Sequence, residues 1–86
     1  MEFFVYYLHS ELFDKYYIGK TNDLNRRITE HNLGQEPFTK RGKPWKLVGF
    51  IKCSSNQEAV TLETKLKKSK NKRYVLWFIT EHGAIL

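Results

Sequence analysis

Apolar residues fill both faces of the first strand-like run, FFVYYL at residues 3–8. Phe4, Tyr6 and Leu8 fall on one side, and Phe3, Val5 and Tyr7 on the other. That pattern fits a central strand covered on both faces. Ser10 to Asp14 reads as a turn. Lys15 to Lys20, punctuated by Gly19, then returns as an antiparallel hairpin partner. The hairpin brings Tyr6 and Tyr17 together if its register puts them on one face, which the pattern leaves open. A third run, WKLVGFIKC from Trp45 to Cys53, also reads as a strand. The expected sheet is therefore small, three-stranded and largely antiparallel.

Between and after the strands the apolar spacing changes to that of helices. Thr21 or Asn22 is a good cap, with Asp23 in the first turn where its charge suits the helix dipole. Leu24 and Ile28 form the buried stripe, flanked on one side by Arg27 and His31, and Gly34 is placed to end the helix. A second helix, near Gln57 to Ser69, follows a Ser55–Glu58 capping box and buries Ala59, Leu62 and Leu66. Glu63 lies in or beside that stripe, where an acid is costly unless it is paired or coordinates something. Tyr74 to Ile79 (YVLWFI) suits helix or strand by periodicity. A short helix continuing from the preceding basic run, with Val75, Phe78 and Ile79 on the sheet, is the preferred reading. Gly34 to Pro44 reads as a loop, and the tail from Glu81 to Leu86 is expected to fray. Strands and helices together give an α/β (α+β) class, with residues 1–86 forming one domain.

Length and composition agree with this pattern. Eighty-six residues support one modest core, and 41% hydrophobic with 15% aromatic residues is a globular composition. Charge adds a direction. The net charge is +6, and residues 37–73 carry eleven Lys or Arg against two acids, Glu58 and Glu63. Residues 1–36 carry four against six. The second half is either a cationic surface for phosphates or a solvated one, with phosphates favoured. The lone Cys53 excludes an internal disulfide and a cysteine-based metal cluster, and fits a reduced, cytoplasmic setting. No apolar stretch is long enough to span a bilayer, and the start lacks the basic region of a signal peptide.

The chain has no Gly-rich phosphate loop, HExxH motif, Cys/His ligand set or nucleophile elbow. What remains is the group Tyr6, Tyr17, Arg27, His31 and Glu63. Each has a plain alternative: sheet core for the tyrosines, an Asp23 pair for Arg27, a helix C-terminus for His31, and a Lys67 pair for Glu63. In the loop, Lys40, Arg41 and Lys43 surround Phe38, with Trp45 just beyond. Cations interleaved with aromatics can clamp a nucleic-acid backbone and stack a base, or simply form a solvated loop pinned to the core.

VYYL at residues 5–8, YIG at 17–19, an Arg and a His on the next helix and a Glu on the later one together resemble the GIY-YIG nuclease domain. The segments YYIGKTNDLNRRITEHN, FTKRGKPWKLV and KSKNKRY are similar to its small stand-alone bacterial members, related to the nuclease module of the excision-repair enzyme UvrC. The resemblance spans about Phe3 to Ile79. Phe4-Val5-Tyr6 keeps only the tyrosine of the first motif, and Asn71 is the sole candidate for an asparagine many members carry near the C-terminal end of the site.

The resemblance implies endonuclease-like hydrolysis of DNA, in repair or recombination, by a monomer or weak dimer away from membranes. The alternatives are a non-catalytic nucleic-acid-binding module on the same fold and a protein-interaction domain whose charge only confers solubility. The implied catalytic set is Tyr6, Tyr17, Arg27, His31 and Glu63, with Glu63 binding one Mg²⁺ (or Mn²⁺) ion. Tyr17 is the leading general base, assisted by Tyr6, while Arg27 holds the phosphate and His31 orients a tyrosine or relays a proton. An ordinary phenol, with a pKa of about 10, needs positive charge nearby to act as a base at neutral pH. Arg27, Lys20 and the metal are the expected sources. The implied DNA contacts are Lys20, Arg26, Lys40, Arg41, Lys43, Lys67, Lys68, Lys70, Lys72 and Arg73.

Overall fold

The structure, a computed structural model, describes residues 2–86. Strands β1 (Phe3–Ser10) and β2 (Lys15–Thr21) form the expected hairpin, and β3 (Trp45–Cys53) pairs antiparallel with the other side of β1. The sheet has four strands rather than three, in the order β2-β1-β3-β4. The fourth, β4 (Ala84–Ile85), comes from the tail expected to fray. It pairs with Gly49 and Phe50, and the Leu86 amide donates to the Val48 carbonyl at 2.9 Å. The outer edge of β3 would otherwise leave backbone groups unpaired, and a two-residue strand too short to show a period covers part of it.

Alternation along β1 sorts the core as the pattern predicts. Val5 and Tyr7 pack with Ile51, Cys53, Ala59, Leu66, Val75 and Ile79 on one face. Tyr6, Leu8 and Trp45 pack with Tyr17, Leu24, Ile28, Leu47 and Phe50 on the other. The first face is covered by α2 (Asn56–Ser69) and α3 (Lys72–His82), and the second by α1 (Leu24–Asn32) and the loop after it. The pairing shifts by one residue on β3 between the partners of Tyr7 and Leu8, a bulge that bends this strand.

Helix boundaries differ from expectation in three places. Asp23, not Thr21 or Asn22, caps α1, its side chain accepting from the Arg26 amide at 3.1 Å. The helix closes at Leu33, and Gly34 then takes φ 78°, a conformation glycine adopts without penalty. Ser55 caps α2 as expected, but the Glu58 carboxylate accepts from the Ser54 hydroxyl at 2.8 Å. The basic run does not continue as one helix. Lys70 turns left-handed at φ 48°, and Asn71 caps a separate α3 by accepting from the Tyr74 amide at 3.1 Å. That break folds α3 back so that Val75 and Ile79 reach the sheet. Among the described residues, no helix is long and apolar enough to cross a membrane.

Candidate active site

The hairpin register sets the site. Tyr6 lies opposite Gly19 and Leu8 opposite Tyr17, so the two tyrosines are diagonal neighbours on one face, with ring centroids 6.4 Å apart. Gly19 is required by this arrangement, because a Cβ there would run into the Tyr6 phenol. From α1, His31 packs edge-on against both rings, at 5.7 Å from Tyr6 and 5.1 Å from Tyr17. It is fully buried rather than resting at an exposed helix end.

A hydrogen-bonded line runs through this histidine. Tyr6 Oη lies 2.9 Å from His31 Nε2, and His31 Nδ1 lies 2.6 Å from Thr39 Oγ1. Thr39 also faces the Glu36 carbonyl at 3.5 Å, which can only accept. The assignment that satisfies all three has Thr39 donating to Glu36, Nδ1–H donating to Thr39, and Nε2 accepting the Tyr6 proton. Burial pushes the Tyr6 phenol up to about 12, although a hydrogen bond from Arg27 works the other way. Tyr6 is therefore a protonated phenol at neutral pH, oriented by His31.

Burial, reinforced by the Arg27 charge, holds His31 below its ordinary value and hence neutral. Between its folded pKa and the ordinary value of about 6.5, the unfolded chain takes up the proton preferentially. Stability from neutral His31 is fully present above pH 6.5 and declines as pH falls toward the lowered value. Thermal melts should therefore show a lower Tm at pH 5.5 than at pH 7.5, and the difference should shrink in His31→Gln. An equal difference in both proteins would place the acid sensitivity elsewhere.

Arg27 does not pair with Asp23. Its Nη1 donates to Glu30 at 3.0 Å and its Nη2 to Glu36 at 2.7 Å. Burial opposes its charge, but the Glu36 and Glu30 hydrogen bonds more than offset this and raise its pKa. In return, the Arg27 hydrogen bond holds Glu36 below the usual carboxylate range. The guanidinium is thus fixed beside Tyr6 and already engaged by two carboxylates.

Glu63 sits at the rim, where α2 runs along the β2 edge. Its side chain is 19% exposed and pairs with Lys67 at 3.4 Å, the plain alternative named for it. Its negative charge also contributes to the raised Tyr6 pKa. Lys67 lies with its Nζ 5.5 Å from the Tyr17 ring centroid. Lys20 is turned elsewhere, donating to Asn56 at 3.1 Å, so Lys67 occupies the place expected of Lys20.

Some of the basic residues line concavities and others do not. Lys15, Lys67, Lys70 and Lys72 border a cavity of about 530 Å³ whose wall includes Tyr16 and Tyr17, and Asn71 lines it too. Arg41 borders a second cleft on Tyr17, and Arg73 lies in a shallow depression with Tyr7 and Tyr16. Lys40, Lys43 and Lys68 are exposed and line neither the cavity nor that cleft, while Arg26 bonds Asn22 and lies near Glu30. The pattern did not single out Thr39 or Glu36. A threonine and an acid in an irregular loop carry no spacing that ties them to a helix.

The GIY-YIG catalytic domain family matches residues 2–75, which takes in every residue of this cluster. This chain belongs to that family. A UPF0213 protein of Listeria welshimeri is 38% identical over 69% of this chain and 67% of its own length. One from Streptococcus pneumoniae is 39% identical over 64% of the chain and 57% of its own length. The solution structure of a UPF0213 protein from Bacillus halodurans covers 98% of this chain and 88% of its own, at a TM-score of 0.57 and 28% identity. Membership of this family supports a nuclease-like function.

Proposed function

We propose that this GIY-YIG domain hydrolyses DNA phosphodiester bonds with the help of one divalent cation, in DNA repair or recombination. The observation that carries this reading is the convergence of Tyr6, Tyr17, Arg27 and His31 on one sheet face beside Glu63 and a lysine-lined cavity. Among the described residues no group of three or more His, Cys, Asp or Glu side chains is placed to hold a metal. A single half-buried carboxylate nonetheless fits Mg²⁺, or Mn²⁺, since Mg²⁺ keeps several waters and takes few protein oxygens beside a substrate phosphate. Glu63 would hold the ion, which when bound polarises the phosphoryl oxygen and stabilises the leaving oxygen.

The chain's own residues supply the rest. Tyr17 accepts the proton of the attacking water, with Lys67 at hand to balance charge on its oxygen. Tyr6, held by His31, orients that water by hydrogen bonding. Arg27 offers a positive charge, in a fixed geometry, to the phosphate. Because Glu30 and Glu36 already engage its two terminal nitrogens, the phosphate either approaches another edge or displaces one carboxylate.

The test is cleavage of branched, nicked and single-stranded DNA with Mg²⁺ and with EDTA, together with a salt titration of binding. Cleavage in Mg²⁺ alone, with affinity falling steeply with salt, supports the proposal. Lys68→Glu with Lys70→Glu should weaken binding across sequences and flatten the salt slope. Binding of every substrate without cleavage would favour the non-catalytic binding module.

A further inference from the structure

A second concavity opens on the Tyr6 face of the sheet, between the β1–β2 turn and the loop around residues 38–42. It encloses about 410 Å³, and its walls include Phe13, Lys15, Tyr17, Phe38, Arg41 and Trp45. Trp45 is nearly buried, and its Nε1 donates to the Thr39 carbonyl at 2.7 Å, so this surface is rigid. Tyr17 stands edge-on to it, with centroids 6.4 Å apart. Phe38 and Phe13, by contrast, are 87% and 53% exposed. One exposed aromatic is unremarkable, but two beside a cleft already walled by two more form a contiguous aromatic surface open to solvent.

The charges narrow the occupant. Lys15 and Arg41 line the cleft, no acid shares its lining, and neither is held in an ion pair among the described residues. Aromatic faces flanked by free cations suit a flat π-system carrying phosphates on each side. Tyr17 belongs both to this cleft and to the Tyr6–His31 cluster. A base stacked here is thus attached to a phosphate close to the candidate reacting centre.

We propose that this cleft stacks an unpaired nucleobase next to the scissile phosphate, so that the favoured substrate is DNA with an unpaired nucleotide beside the cut. This rests on the DNA-cleaving reading of the same site. A base inside a duplex has both faces covered by its neighbours and must be unstacked first, whereas an unpaired base enters at little cost.

The experiment uses two duplexes differing only in whether one 2-aminopurine is unpaired, titrated with protein in EDTA and then cut in Mg²⁺. The unpaired probe should bind more tightly and lose fluorescence as it stacks. Phe38→Ala, at a position too exposed to disturb the fold, should abolish the quench and weaken that binding about tenfold or more. Paired DNA should be little affected. Equal binding of both probes, or an unchanged quench in both Phe38→Ala and Phe13→Ala, would overturn the proposal. A concentration-dependent dimer lost in Phe38→Ala, with DNA binding unchanged, would assign the aromatics to self-association and overturn it too. If both duplexes are cut at one rate, with or without Phe38, the cleft reading falls while the cleavage reading stands. If neither is cut but the quench persists and depends on Phe38, the cleft reading stands and the cleavage reading falls.

Discussion

Glu63→Gln should eliminate Mg²⁺-dependent cleavage, by roughly a thousandfold or more, while leaving Tm nearly unchanged. The contrast between the two readouts follows from the site's construction. Glutamine keeps the shape of the side chain and can still bond Lys67, so packing against α2 persists. The ion pair that is lost spans one helical turn to a half-exposed lysine, and such pairs are worth a few tenths of a kcal/mol. What disappears is the negative charge proposed to hold the cation, and with it several kcal/mol of transition-state stabilisation. Glu30 and Glu36 cannot readily take over, because both are committed to Arg27. Cleavage and melting should be measured on one preparation, with Mg²⁺ and Mn²⁺. Undiminished cutting by the variant would remove Glu63 from the site. A large drop in Tm would mean that the carboxylate serves the fold instead.

Local chemistry made much of this arrangement readable before any coordinates. The two-sided apolar run at residues 3–8 announced a central strand, and its alternation separated Tyr6 from Tyr7 correctly. Helical spacing put Arg27 and His31 on the flank that faces the sheet, and an acid on an apolar stripe marked Glu63. Interactions between segments distant in sequence were not readable. Nothing in the string EPFT says that Thr39 closes onto His31 Nδ1 or that Glu36 reaches Arg27, since both depend on where the loop returns beneath α1. β4 was missed for a different reason. Two residues have no period, and their pairing is dictated by the open edge of β3 rather than by their own side chains. The break at Lys70 was hidden because a lysine in the left-handed conformation leaves no compositional trace, although Asn71 just after it is a good cap.

Tyr17→Phe should lower the cleavage rate by roughly a hundredfold or more, the range associated with losing a general acid–base group. Only a hydroxyl is removed. The ring keeps its contacts with Tyr6, His31 and Trp45, so the core on that face is retained and melting should barely shift. DNA affinity in EDTA should also persist, because the proposed phosphate contacts, Lys67, Lys70, Lys72 and Arg41, would act without that oxygen. Tyr6→Phe provides the comparison. The Tyr6 phenol, pushed up to about 12 by burial, stays protonated and bonds His31, so its loss removes orientation rather than a base. It also leaves His31 Nε2 buried without its partner, so this variant should lose stability as well as rate, by about 1–3 kcal/mol. The two substitutions thus separate by their melts: a rate loss at constant Tm for Tyr17, and a rate loss with a lowered Tm for Tyr6. If Tyr17→Phe cuts as fast as the parent in the same Mg²⁺ buffer, the proton acceptor lies elsewhere. If Tyr6→Phe melts like the parent but loses more activity than Tyr17→Phe, the roles of the two tyrosines are reversed.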